Sequence, residues 1–188
     1  NETQEKAIKG ALNNNITIIS GGPGTGKTTI INAIVKLYIE KEKLGPADIM
    51  ETVALLAPTG RAAKKMNSST GIPAYTIHRY LKWYKDSNEF VYNEFNKTHH
   101  KLIIVDEVSM IDVDLFNALL NGINSNIKLI LVGDTFQLPS VGPGLVLNDL
   151  IESDYFNYIP LNQIYRQSDN SYIPFLAKEI KNNDLSEE

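Results

Sequence analysis

Eight residues, Gly21-Gly22-Pro23-Gly24-Thr25-Gly26-Lys27-Thr28, follow the apolar run Ile16-Thr17-Ile18-Ile19 and lead into a stretch of helical periodicity from Lys27 to Lys41. The spacing is G-x-x-x-x-G-K-[ST], set after a strand and at the start of a helix, and it restricts the chain to folds in which a buried strand delivers a glycine turn to a helix N-terminus. The glycines let the backbone aim its N–H groups inward around an anion, and the helix dipole adds positive potential at the same point. In this reading Lys27 neutralises β- and γ-phosphate oxygens and the Thr28 hydroxyl completes a magnesium shell. Gly22, Pro23, Gly24, Thr25, Gly26 and Thr29 form the rest of the cradle.

Other short runs rich in Ile, Val and Leu recur at Val53–Ala57, Leu102–Val105, Leu129–Val132 and Tyr158–Leu161. Uninterrupted runs of this kind suit strands covered on both faces. Candidate helices lie between them, at Gln4–Asn13, Lys27–Lys41, Arg61–Met66, Thr76–Tyr84, Ile111–Leu120, Leu145–Ile151 and Ile173–Lys181. The alternation argues a three-layer α/β domain with a mainly parallel sheet. A polar and aromatic segment at about 85–100 breaks the rhythm and reads as a hairpin inserted before the third strand. At 188 residues the chain fits one domain with an insertion, and its 43% hydrophobic, 21% charged composition is that of a globular protein.

Without cysteine, thiol nucleophiles, zinc ribbons and disulfide frameworks are excluded. No apolar run approaches the ~18 residues of a membrane span, and the polar start is no signal peptide, so a cytoplasmic protein with no membrane contact is expected. A phosphate loop needs a carboxylate from another buried strand, and Leu102-Ile103-Ile104-Val105-Asp106-Glu107 supplies it. Asp106 at the strand tip can hold magnesium through water, while Glu107 can orient and deprotonate an attacking water.

Further blocks follow in order. Residues 1–8 resemble a Q motif, Ala57-Pro58-Thr59-Gly60-Arg61-Ala62-Ala63 resembles helicase motif Ia, and Thr76-Ile77-His78-Arg79 resembles motif Ib. Residues 105–110 are similar to motif II, Leu131-Val132-Gly133-Asp134-Thr135-Phe136-Gln137-Leu138-Pro139 to motif III, and Ile164-Tyr165-Arg166-Gln167 to an arginine-bearing motif IV. The set resembles the RecD-like branch of superfamily 1 DNA helicases, the exodeoxyribonuclease V alpha-subunit type, over essentially the whole chain. That resemblance implies a first RecA-like motor domain with a five-stranded sheet in the order 5-1-4-3-2. It further implies ATP and Mg2+ as cofactors, Gln4 reading adenine, Gln137 beside the γ-phosphate, and Arg166 as an arginine finger in cis.

The net charge of −4 conceals an uneven distribution. Residues 57–85 carry Arg61, Lys64, Lys65, Arg79, Lys82 and Lys85 and no acid. Arg61, Lys64 and Lys65 share a helical face, and Thr59 and Gly60 offer hydroxyl and N–H donors at its start. His78, Arg79, Tyr80, Lys82, Trp83 and Tyr84 interleave cations and rings as single-strand binders do. With the helicase motifs beside them, Thr59, Gly60, Arg61, Thr76 and His78 are read as DNA contacts, whereas Tyr80, Trp83 and Tyr84 at helical spacing are read as core. His99 and His100 lack metal-ligand companions and are expected at the surface.

The leading expectation is an ATP-driven motor on single-stranded DNA, 5′ to 3′ by family analogy. Residues 137–144 would couple nucleotide to strand, with Ser140 and Val141 touching DNA. Its partners would be a second RecA-like domain of the same chain and subunits of a recombination or repair complex. Alternatives are a P-loop regulatory or assembly ATPase that never moves a strand, and the helicase portion of a conjugative relaxase. Because motifs V and VI are missing, the 188 residues are expected to be a fragment with weak nucleotide affinity and little unwinding of its own.

Overall fold

Strands built from unbroken Ile, Val and Leu have no solvent face, so each side of their sheet must be covered by helices. The computed structural model describes residues 2–162 and has this layering. In chain order the elements are α1 (Glu2–Asn13), β1 (Ile16–Gly21), α2 (Lys27–Lys41), α3 (Pro46–Thr52), β2 (Val53–Ala57), α4 (Gly60–Thr70), β3 (Ala74–Thr76), α5 (Ile77–Tyr80), β4 (Trp83–Tyr84), β5 (Glu89–Phe90) and β6 (Leu102–Val105). A 3-10 turn at Val108–Met110 follows, then α6 (Val113–Gly122), β7 (Lys128–Gly133), α7 (Val146–Glu152) and β8 (Asn157–Leu161).

Side chains alternate across each strand and sort into two cores. Ile19, Leu55, Ile104, Ile130 and Val132 face α1, α2 and α4, burying Ile30, Ile34 and Met66. Ile18, Leu56, Ile103, Val105 and Leu131 face the opposite layer, where Ile77, Leu119 and Leu147 close it. The main sheet runs β3-β2-β6-β7-β1-β8 and its pairings are parallel. The five expected strands keep the order 5-1-4-3-2, and β3 adds a sixth at the edge beside β2, in the register Leu55↔Ala74. Three residues are too few to show an apolar run, so only the pairing with β2 reveals this strand.

The helix expected over Thr76–Tyr84 shrinks to the single turn α5. Thr76 caps it, its hydroxyl oxygen accepting from the Arg79 N–H at 3.2 Å. Lys82 then enters the left-handed region at φ 55, and Val91 and Tyr92 donate to the carbonyls of Lys82 and Leu81. Those bonds draw Trp83 and Tyr84 into an antiparallel pair with Phe90 and Glu89, so the hairpin starts before the expected segment and is shorter than it. Residues 91–101 run back to β6 irregularly, with one bridge between Asn93 and Asn96. Helix α3 buries no residue and therefore has no apolar stripe to detect; Pro46 at its start and Asp48, accepting from the Gly45 N–H, define it instead. The helix expected at Ile173–Lys181 and the arginine-bearing block with Arg166 lie outside the described residues. Among the described residues no helix is long and apolar enough to cross a membrane.

Candidate functional site

Strand β1 ends at Gly21 and its chain turns through Gly24 and Gly26, at φ 75 and φ 86, before entering α2. A side chain at either position would strain the left-handed backbone that the turn requires. Gly26 caps α2 with no side-chain oxygen to satisfy the first turn. The buried Thr25 hydroxyl donates inward to the Gly22 carbonyl at 2.7 Å, and the Lys27 ammonium lies over the loop, donating to the carbonyls of Gly21 and Gly22. Among the described residues, no acceptor meets the N–H groups of Gly24, Gly26, Lys27, Thr28 or Thr29. A row of orphan donors at a helix N-terminus, with an ammonium beside it, is the donor set a polyphosphate requires.

One strand separates β1 from β6, and that strand, β7, ends at Gly133 with Asp134 directly after it. Burial lowers the Lys27 pKa, and the charges of Asp134, Asp106 and Glu107 oppose that shift, so all three carboxyls lie within electrostatic reach of the ammonium. Burial pushes the Asp106 carboxyl up, against the hydrogen bond its Oδ1 accepts from the Glu107 N–H at 2.8 Å. Glu107 itself sits at φ 56, ψ 39, a costly conformation for a residue with a side chain, and it carries its carboxyl at the strand's C-terminal end. Thr28 and Asp106 supply the oxygen donors that a hard divalent cation takes. No group of three or more His, Asp or Glu side chains among the described residues forms a separate metal site.

Gln137 is exposed and held from below. The Ser109 hydroxyl donates to its Oε1 at 3.2 Å, and its own N–H donates to the Asp134 carbonyl. The segment after it docks on the start of α6: Val113 donates to the Pro143 carbonyl at 3.0 Å, and a Cβ on Gly142 or Gly144 would run into Asp112 or Val113. Ser140 closes this turn by donating to the Gly142 carbonyl at 2.9 Å, and Val141 projects fully into solvent. Gln4 is half-buried on α1.

On the neighbouring loops, Thr59 caps α4 by accepting from the Ala62 N–H at 3.3 Å, which leaves its own O–H free to donate; Gly60 and Arg61 are exposed beside it. Thr76 caps the turn of α5 and the exposed His78 lies within it, its ring 6.1 Å from Trp83 and 5.8 Å from Phe90. Trp83 packs on Phe90 at 4.6 Å and Tyr80 is buried, as expected of core residues, but Tyr84 is 61% exposed because the hairpin turns it outward.

Sequence reasoning missed three participants. Asp134 lies in the block similar to motif III with no role of its own there, yet it is 1% exposed and the foremost charge favouring protonated Lys27. Lys65, grouped with the basic helical face, has a charge felt by both Lys27 and Asp106. His100, expected at the surface, is half-buried and bonded: its Nδ1 lies 2.9 Å from the Tyr80 hydroxyl, its Nε2 donates to the Met50 carbonyl at 3.1 Å, and burial lowers its pKa. The aromatic partner twenty residues upstream was the available signal.

A parallel sheet whose central strands carry a glycine cradle and facing carboxylates defines a P-loop nucleotide-binding domain of RecA type. Residues 4–143 match the AAA domain family, and the chain belongs to it, in the RecD-like branch. It is 37% identical over 168 residues to the RecBCD enzyme subunit RecD of Mycolicibacterium smegmatis, covering 80% of this chain and 30% of that protein. It is 38% identical over 167 residues to the ATP-dependent RecD2 DNA helicase of Deinococcus radiodurans, covering 89% of this chain and 22% of that protein. The fold is that of the Pif1 helicase from Candida albicans (TM-score 0.66, 24% identity, 95% of this chain and 43% of that one) and of Bacteroides Pif1 bound to ssDNA (0.60, 22%, 98% and 46%). The chain thus spans less than a third of the relatives' length and under half of the solved helicases.

Proposed function

We propose that this chain is the first motor domain of an ATP-hydrolysing helicase that steps along single-stranded DNA, in the 5′ to 3′ direction and in the cytoplasm. The observation that carries the reading is the open set of N–H groups of Gly24, Gly26, Lys27, Thr28 and Thr29, set one strand away from half-buried Asp106 and strained Glu107. Lys27 leaves the carbonyls of Gly21 and Gly22 to meet β- and γ-phosphate oxygens, and Gln4 reads the adenine. The Thr28 hydroxyl and the Asp106 carboxyl would hold magnesium, which when bound would supply charge neutralisation on the transferring phosphoryl group. Glu107 orients the attacking water and takes its proton. Gln137 senses the nucleotide through its tie to Ser109, and Arg166 reaches the γ-phosphate from outside the described residues.

Residues 137–144 are the coupling element. One end bonds to the loop after the carboxylates and the other to the start of α6, so a change at Gln137 is passed to the exposed surface around Ser140 and Val141. Thr59, Gly60, Arg61, Thr76 and His78 hold the strand. A second RecA-like domain completes the cleft, and the RecBCD subunit relatives support a partner in a recombination or repair complex. The test is ATP turnover by the full-length protein with and without single-stranded DNA. DNA should raise turnover, and Lys27→Ala or Glu107→Gln should abolish it. Equal turnover without DNA, together with nucleotide-dependent capture of a protein partner, favours the assembly ATPase instead. Duplexes with 5′ or 3′ tails decide polarity.

A further inference from the structure

The basic and aromatic cluster that sequence places around α5 divides in space. His78 turns toward Trp83 and Phe90, whereas the Arg79 guanidinium lies over the Tyr75 ring, 5.4 Å from its centroid. Arg79 and the rings beyond it line an open groove of about 780 Å³ that also takes in Lys82, Tyr92 and Lys101. The Lys82 ammonium stands 5.2 Å from the Tyr92 centroid, which repeats the pairing of a cation layered on a half-buried ring.

This groove is remote from the nucleotide loops. Thr52 and Lys101, in its wall, immediately precede β2 and β6, whereas Thr59 and Asp106 follow the same two strands. It therefore reaches the opposite end of the sheet, running along the edge strand β3 from Arg79, the residue after His78. Three permanent cations face it against one carboxylate, Glu51, in a chain whose net charge is −4. Each cation is exposed while each ring is half-buried, so the charged heads stay in water beside apolar platforms.

We propose that the groove is a second contact for single-stranded nucleic acid, with phosphates on Arg79, Lys82 and Lys101 and bases stacked on Tyr75 and Tyr92. A duplex keeps its bases stacked internally and would leave both rings unused; an acidic peptide would use the cations alone. A single strand uses both, because every base offers a π-face and every linkage a phosphate. The inference deepens the reading of the chain as a single-strand motor: it gives the strand a holding point off the main track, before or after it crosses the nucleotide-facing loops.

The experiment titrates a labelled oligothymidylate of about 20 nucleotides, long enough to reach beyond one site, onto the full chain, and photocrosslinks a 5-iodouracil version. Three proteins are compared: unaltered, Lys82→Glu with Lys101→Glu, and Thr59→Ala with Arg61→Ala. The unaltered chain and the Thr59/Arg61 variant should crosslink at Tyr75 or Tyr92. The Lys82/Lys101 variant should lose those crosslinks and bind about tenfold more weakly, with a salt dependence shallower by about 1.4, or ~0.7 for each lost phosphate contact. Melting temperature checks its fold, and the crosslinks on the unaltered chain stand without it. Unaltered-level affinity and salt slope in the Lys82/Lys101 variant, or polyglutamate competing as well as the oligonucleotide, overturns the groove and spares the motor reading. Failure of the unaltered chain to bind the oligonucleotide overturns the motor reading itself.

Discussion

The two ends of this sheet are built on opposite rules. Where the strands finish, polar groups are left waiting: orphan N–H groups on Gly24, Gly26, Lys27, Thr28 and Thr29, a half-buried Asp106 whose ionised form burial disfavours, and Glu107 held at φ 56. Where β2 and β6 begin, polar groups are spent on one another. The Tyr80 hydroxyl bridges Thr98 Oγ1 at 2.8 Å and His100 Nδ1 at 2.9 Å, and His100 reaches Met50. Asn124 and Gly122 close the same corner onto Thr98. The first end stores free energy that a ligand can release; the second end ties α3, α5 and the segment before β6 into a stable base. Substitutions at the first end should therefore change activity more than stability, and those at the second the reverse.

Lys27→Ala is the hardest test of that contrast. Its ammonium is half-buried and burial disfavours the charged form, so truncation should leave the melting temperature of the nucleotide-free protein within a few degrees, while ATP turnover falls roughly a thousandfold, a loss of about 4 kcal/mol in transition-state stabilisation. Calorimetry beside a phosphate-release assay reads both. A large drop in melting temperature would place Lys27 among the structural groups and erase the distinction. Gly144→Ala should come next. At φ 99, and with its Cβ pressed against Val113, the added methyl costs about 1–3 kcal/mol locally and dislodges residues 137–144 from α6. DNA-stimulated turnover should fall about tenfold, with DNA-independent turnover within about twofold of normal, since only the coupling is touched.

The sequence makes the first end easy to read and the second hard, for one physical reason. Phosphate binding demands particular residues at fixed spacing within a single loop, so Gly24, Gly26, Lys27 and Thr28 announce themselves. The paired carboxylates do so too, because an apolar strand must end before them. The strand order of the five long strands is equally legible through the motifs they carry. The second end is assembled from residues far apart in the chain, Met50, Tyr80, Thr98 and His100, each unremarkable alone. The same distance hid β3, which only β2 defines, and made the turn at Lys82 read as a continued helix. Tyr80→Phe tests whether that corner is as cohesive as its bonds suggest. Burial pushes the Tyr80 phenol up to about 12, so it remains a neutral hydrogen-bonding group throughout the physiological range. Removing its hydroxyl leaves Thr98 and His100 short of a partner and should lower stability by about 2 kcal/mol, roughly 4–8 °C in melting temperature, without altering ATP turnover.

Asp106→Asn carries the comparison the other way, toward a stabilised but inactive site. Burial raises the Asp106 pKa above its unfolded value, so its contribution to stability is present below that value and lost as pH rises through the folded one; at neutral pH the carboxylate is a cost. The amide keeps an Oδ1 to accept from the Glu107 N–H. Melting temperature at neutral pH should rise by about 2–4 °C, or ~1 kcal/mol, while magnesium no longer raises it further.

The smallest effect expected is a pH dependence at the opposite end. His100 has its pKa lowered by burial from an ordinary 6.5, with the Met50 carbonyl acting against that shift and the neighbouring charge of His99 with it. The carbonyl only accepts, so Nε2 carries the proton of the neutral ring and Nδ1 faces the Tyr80 hydroxyl. Glu51, Lys101, Lys82 and Arg79 line the same groove, with Tyr80 neutral among them. A depressed pKa gives stability that is fully present above 6.5 and is lost as pH falls through the folded value, because the unfolded chain takes up the proton first. Melting temperature should therefore decline as pH drops below 6.5, and His100→Gln should flatten that decline while lowering stability at pH 8, since the amide keeps one bond and forfeits the other. If the slope is unchanged in the variant, protonation elsewhere controls acid stability.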